Sequence, residues 1–200
     1  MGKIDNKKKQ KKDALLSTAF DLFLSQGIDK TSIADIVEKA GVAKGTFYLY
    51  FKDKYDIRNR LVSRKASQLF RNAIEDYEKN DEPLEFEDTI IYISNHVIDQ
   101  LAENASLLSF IAKNLSWGVF KNALVHPVDD DDNSFYEYYR NALERSGLTF
   151  RDPEIMLFLI IELIGSTCHS SILHQEPVDI ETLKPHLYDA IHSIIQSQLV

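Results

Sequence analysis

Apolar residues recur at helical spacing through almost all of this 200-residue chain. The first stripe holds Leu15, Leu16, Ala19, Phe20, Phe23 and Leu24 and predicts a helix over about 11–25, ended by Gly27. Ile33, Ile36, Val37 and Ala40 mark a second, shorter helix. Thr31 or Ser32 stands where its N-cap belongs, and Gly41 follows where a left-handed residue ends a helix. A third short helix fits 43–50. Phe47 and Phe51 lie on its inward side; Lys44, Gly45, Thr46, Tyr48 and Tyr50 lie on the other. Helix, glycine-containing turn, helix is the helix-turn-helix pattern, whose second helix enters the major groove of DNA.

Longer helices follow. Tyr55, Ile57, Leu61, Val62, Leu69, Phe70, Ile74 and Tyr77 predict one over 53–79, long enough to act as a lever between the two parts of the chain. The acidic, Pro83-containing stretch 80–88 breaks the pattern. Helices are expected over 85–103 and 105–123, both apolar around much of their circumference, and over 134–146, ended by Gly147. The last two fit 153–174 and 179–199. The first of this pair, with Ile155, Leu157, Phe158, Leu159, Ile160, Ile161, Leu163 and Ile164, leaves almost no polar face. It therefore needs cover from several sides. The expectation is an all-α chain: a three-helix DNA-binding domain over 1–52 and a larger helical domain over 53–200.

Charge sharpens this division. The net charge is −8, but residues 1–60 hold 13 Lys and Arg against 8 Asp and Glu, and residues 61–200 hold 10 against 23. A basic module meets phosphate while an acidic remainder is repelled by it. Six lysines fall within the first twelve residues, as a solvated terminus or as a basic arm (1–12) that adds phosphate or minor-groove contacts. One cysteine excludes an internal disulfide framework and fits a reducing cytosol. No signal peptide is visible. The longest apolar run, 155–161, is short of the roughly 20 residues of a membrane span, so a cytoplasmic protein without a membrane partner is expected.

Residues 15–54 resemble the DNA-binding domain of the tetracycline-repressor (TetR) family of transcriptional regulators. The matching pieces are AFDLFLSQG from Ala19, KTSIADIVEKAGVAKGTFYLYF from Lys30 and KDKYDI from Lys52. The FYLYF-K-x-K tail goes beyond what a bare helix-turn-helix would carry. The resemblance implies DNA contacts from Thr31, Ala43, Lys44, Gly45, Thr46, Tyr48, Tyr50 and Lys54. Thr31, Tyr48 and Lys54 would meet phosphates, Lys44 and Thr46 bases or phosphates, and Ala43 a thymine methyl. Leu49 departs from the aromatic or histidine that many members carry, which removes a hydrogen-bonding readout there. The resemblance also implies a homodimer on a palindromic operator, released by a small-molecule effector. The interface would come from the last two helices, through Ile155, Phe158, Leu159, Glu162, Leu187, Ile191, Ile194 and Ile195.

Other chemistry finds little support. Cys168, His169 and His174 lack any zinc spacing, so no metal is expected; no cofactor or catalytic motif is visible. Asp129 to Asp132 read as a solvated loop, lacking the glycine and terminal glutamate of a calcium loop. Tyr92, Phe110, Trp117, Phe120, Phe135 and Tyr138 either pack as core or jointly line an apolar ligand pocket. Glu162 would anchor a cationic ligand there, or lie at an interface. The competing reading is a small-molecule sensor or protein-interaction module on the same fold that uses no specific operator.

Overall fold

The computed structural model describes residues 3–79, 84–114, 118 and 135–200. Among them are nine α-helices and no strand: α1 Lys3–Gln26, α2 Ile33–Lys39, α3 Lys44–Tyr48, α4 Lys54–Tyr77, α5 Phe86–Glu103, α6 Ala105–Asn114, α7 Phe135–Ser146, α8 Pro153–His174 and α9 Ile180–Gln198. The all-α expectation holds. The chain divides into two compact units, Met1–Ser63 and Arg64–Val200.

In the first unit, the stripes read from the sequence meet. Leu15, Leu16, Ala19 and Phe23 of α1 are buried together with Ile36, Val37, Phe47, Phe51, Ile57 and Leu61. The start of α1 differs from expectation. It is helical from Lys3, so the lysine-rich stretch continues α1 instead of leaving it as a loose arm. Lysine and glutamine favour helix, no Gly or Pro interrupts the stretch, and the Tyr50 hydroxyl donates to the Lys8 carbonyl at 3.2 Å.

In the second unit, α5 packs against α6, α7, α8 and α9, and α8 packs against α9 and α6. Aspartates cap both helices: Asp152 accepts the Ile155 N–H ahead of Pro153, and Asp179 accepts that of Thr182. The Arg151 N–H donates to Gln198 O and the Val200 N–H to Thr149 O, tying residues 198–200 to the turn before α8.

The expected interface residues of this unit differ in exposure. Leu187, Ile191 and Ile195 of α9 are at most 2% exposed within this one chain, where they pack as its own core. Ile194 is half-buried. The apolar surface left open lies on α8: Ile155 is 49% and Leu159 40% exposed, Glu162 is exposed and Phe158 half-buried. By length and composition α8 could cross a membrane. Only 28% of its most apolar stretch is buried inside the chain.

Glu162 also cannot anchor a ligand inside the bundle, because its side chain is exposed. The aromatic residues pack on one another. Phe135 stacks on Tyr139 and meets Phe70 at 4.2 Å between ring centres. Tyr92 and Tyr138 both stand edge-on to Tyr77, and the Tyr92 hydroxyl donates to Asp76. Burial pushes the Tyr138 hydroxyl up to about 12. Phe110 is buried. Trp117, Phe120 and the aspartate run lie outside the described residues. A groove of about 350 Å³ has a different lining, mostly polar: Lys65, Gln68, Asn72, Gln100, Glu103 and Asn104 with Leu69 and Leu107. Cys168 is fully buried and its thiol is pushed up to about 11 by that burial, which leaves it protonated and unreactive at neutral pH.

Candidate nucleic-acid interface

The interface begins with how α2 starts and stops. Ser32 is the N-cap. Its hydroxyl accepts the Asp35 N–H at 3.1 Å, and the Asp35 carboxylate accepts the Ser32 N–H at 2.8 Å, a reciprocal capping box. These bonds hold the Asp35 carboxyl below its ordinary value. At the other end Gly41 takes φ +66. Val42 donates to Val37 O at 3.0 Å and Gly41 to Glu38 O at 3.1 Å, the paired bonds of a Schellman stop. A side chain at Gly41 would strain that backbone.

The turn delivers α3, which is shorter than expected: Lys44–Tyr48, with Ala43 as an N-cap that provides no side-chain acceptor. Phe47 is its anchor, fully buried, 5.5 Å from Phe51 between ring centres and edge-on to Tyr48. Everything else on α3 faces out. Ala43, Lys44 and Gly45 are exposed, Thr46 is half-buried, and Tyr48 is 54% exposed. Leu49 is 79% exposed, an apolar side chain left largely open to solvent. A Cβ built on Gly45 would meet nothing within 4 Å, so no contact inside the chain demands a glycine there. A bare backbone at this point leaves room for something outside.

Three other expected contacts turn inward. Thr31 is 1% exposed; its hydroxyl donates to Gly27 O at 2.8 Å, and its N–H donates to Ile28 O. It therefore has neither group to offer a phosphate. Lys54 is the larger surprise. Its Nζ lies 2.9 Å from Ile28 O, 3.2 Å from Asp29 O and 3.3 Å from Thr31 O. An ammonium has three protons, and three carbonyls of the α1–α2 loop engage them. Tyr50 is half-buried and spends its hydroxyl on Lys8. Chemistry alone could not separate these roles, because a phosphate and a carbonyl attract the same donors.

What remains is a compact outward face of Ala43, Lys44, Gly45, Thr46 and Tyr48, with Lys39 and Lys52 exposed nearby in sequence. It offers one mobile cation, hydroxyl donors and small apolar groups on a fixed base. Such a surface suits phosphate oxygens and the edges of base pairs.

Comparison with known proteins points the same way. Residues 15–61 match the family described as bacterial regulatory proteins, tetR family. An HTH-type transcriptional regulator of Staphylococcus aureus (strain MRSA252) is 31% identical over 195 residues, covering 92% of this chain and 96% of that protein. The uncharacterized HTH-type transcriptional regulator YvdT of Bacillus subtilis (strain 168) is 42% identical over 65 residues. That match covers 32% of this chain and about a third, 31%, of YvdT. Among solved structures, the transcriptional regulator FadR from Bacillus subtilis in complex with stearoyl-CoA superposes with a TM-score of 0.62 at 18% identity, over 91% of this chain and 98% of that one. The structural likeness bears on the fold; the identity sustained along nearly the whole S. aureus relative bears on descent. The chain belongs to the tetR family of bacterial regulatory proteins, helix-turn-helix transcriptional regulators.

Proposed function

We propose that this chain is a repressor that reads a palindromic operator as a homodimer and releases it when a small molecule binds its C-terminal domain. The carrying observation is the outward face of α3 on its buried Phe47 base. Laid in a major groove, that face brings Lys44 to a phosphate or a guanine edge. It sets Thr46 and Tyr48 hydroxyls toward phosphates and Ala43 toward a thymine methyl. Gly45 permits close approach of the helix to the DNA. Residues 1–52 form the reading domain, and residues 53–200 serve dimerisation and effector binding in the cytoplasm.

The exposed stripe of α8 supports the dimer: Ile155 and Leu159, flanked by Phe158 and Glu162 and joined by Ile194. Two copies related by a twofold axis would match half-sites about one turn, ~34 Å, apart or a multiple of it. FadR from Bacillus subtilis has been seen with stearoyl-CoA. In this chain the effector would enter among the helices of 53–174, a span that holds the aromatic residues Tyr92, Phe110, Phe135 and Tyr138. It acts by binding one arrangement of the two reading heads more tightly than the other.

Fluorescence anisotropy against DNA from immediately upstream of the coding region tests the reading. Wild type should bind that DNA against excess competitor, and a Lys44→Ala, Tyr48→Phe double variant should lose the preference. Equal, weak and purely salt-driven binding by both proteins to this DNA and to sequences drawn from a random pool would overturn it.

A further inference from the structure

We propose that the first turns of α1 form a second DNA-contacting surface: a helical ridge of lysines that grips backbone phosphates beside the bases facing α3. It rests on the DNA-binding reading above and adds a surface to it.

Three observations carry it. First, the lysines are ordered on a helix. Lys7, Lys8, Lys9 and Lys11 are exposed on α1, and Lys12 is half-buried. Second, the ridge is fastened to the reading segment. The Lys8 carbonyl accepts the Tyr50 hydroxyl at 3.2 Å across 42 residues of sequence, and Tyr50 lies two positions past the last residue of α3. The Lys8 backbone is therefore held to Tyr50, which follows the exposed Tyr48 and Leu49 directly in sequence. Third, the charge pattern is unfavourable for the chain on its own. Lys7 with Lys11 and Lys8 with Lys12 are like-charged pairs one turn apart. All of them sit in the first half of a helix whose N-terminal dipole end favours anions. Residues 3–13 contain six lysines and only two aspartates. A polyanion alongside removes both penalties.

The shape decides between modes of contact. A helix with side chains is roughly 10–12 Å across, and the minor groove is about 6 Å wide, so this segment grips phosphates from outside the groove. A frayed arm would have had the other choice.

The test uses the full-length protein and two duplexes of about 40 base pairs, one selected by the protein from a random pool and one scrambled. Affinity is followed from about 50 to 300 mM NaCl. In K7Q/K8Q/K11Q/K12Q the charges go while helix propensity stays, and circular dichroism checks that α1 persists. Each phosphate contact adds about 0.9 to the slope of log K against log salt, so the variant's slope should be shallower by roughly 2–4. The ratio of selected to scrambled affinity should be unchanged. Tyr50→Phe should weaken both duplexes in parallel. An unaltered slope in the fourfold variant overturns the ridge. So does displacement of wild type, but not of the variant, by a minor-groove ligand such as netropsin, because the lysines would then lie in that groove. If wild type shows no preference for the selected duplex but the slope still falls in the variant, the operator reading fails and the ridge stands.

Discussion

The Lys54 ammonium stands 3.3 Å from the carbonyl oxygen of Thr31, and the same three-proton group reaches the carbonyls of Ile28 and Asp29 at 2.9 and 3.2 Å. One side chain from the first turn of α4 thus closes the loop that leads into the helix-turn-helix. In Lys54→Met these carbonyls lose a charged donor. Because the site is only half-buried, water replaces part of it, and the expected cost is about 1 kcal/mol. Urea unfolding measures that. DNA affinity should fall while the salt slope stays unchanged, since no phosphate contact has been removed. A slope shallower by about 0.9 would instead make Lys54 a phosphate ligand.

Thr31 closes the same loop from within. Its buried hydroxyl donates to Gly27 O at 2.8 Å and accepts from the Gln26 amide at 3.3 Å. Valine has nearly the same shape but no hydroxyl, so Thr31→Val leaves the Gly27 carbonyl without that donor. The expected loss is about 1–2 kcal/mol of stability. Thermal unfolding of the variant should be lowered by several degrees, and sequence preference on DNA should survive in the folded fraction.

The capping box of α2 predicts a pH effect. The backbone and side-chain bonds from Ser32 hold the folded Asp35 carboxyl below its ordinary 3.8. A depressed carboxylate contributes stability that is present above the unfolded value and is lost as pH falls through the folded one. The window therefore lies below about pH 4. Urea midpoints between pH 5 and 3 should fall more steeply for wild type than for Asp35→Asn. Ser32→Ala should cost about 1 kcal/mol at neutral pH. Parallel pH profiles for wild type and Asp35→Asn would remove the carboxylate from this account.

These side chains also show what the sequence could and could not reveal. Periodicity, with Pro153 suited to a first helical turn, located α8 and α9 within a residue or two. The N-cap of α2 was equally local, narrowed to Thr31 or Ser32, but its partner Asp35 was not read. Lys54 and Thr31 were legible as donors but not as to their acceptors. The acceptors of Lys54 lie 23 to 26 residues away, and no spacing rule links them. The start of α1 escaped for another reason: a lysine run carries no apolar stripe, and the contact that holds it comes from Tyr50, distant in sequence. The same blindness affected the two C-terminal stripes, since apolar residues on α8 and α9 look alike until the chain's own packing shows which are already covered.

That last distinction makes a paired prediction. Leu159 is 40% exposed on the open face of α8, whereas Ile191 is fully buried. Leu159→Arg puts a charge where the proposed dimer is apolar, and it disturbs little within the chain. It should give a folded monomer by sedimentation equilibrium, with the thermal transition little changed beyond the loss of association. Ile191→Ala removes buried methyl groups instead. It should cost about 2–5 kcal/mol in unfolding, while its folded fraction still dimerises. The two outcomes are opposite in kind, so each controls for the other. A Leu159→Arg protein that remained dimeric would move the interface off this face of α8. An Ile191→Ala protein that was monomeric yet stable would return Ile191 to the interface, against its burial in the single chain.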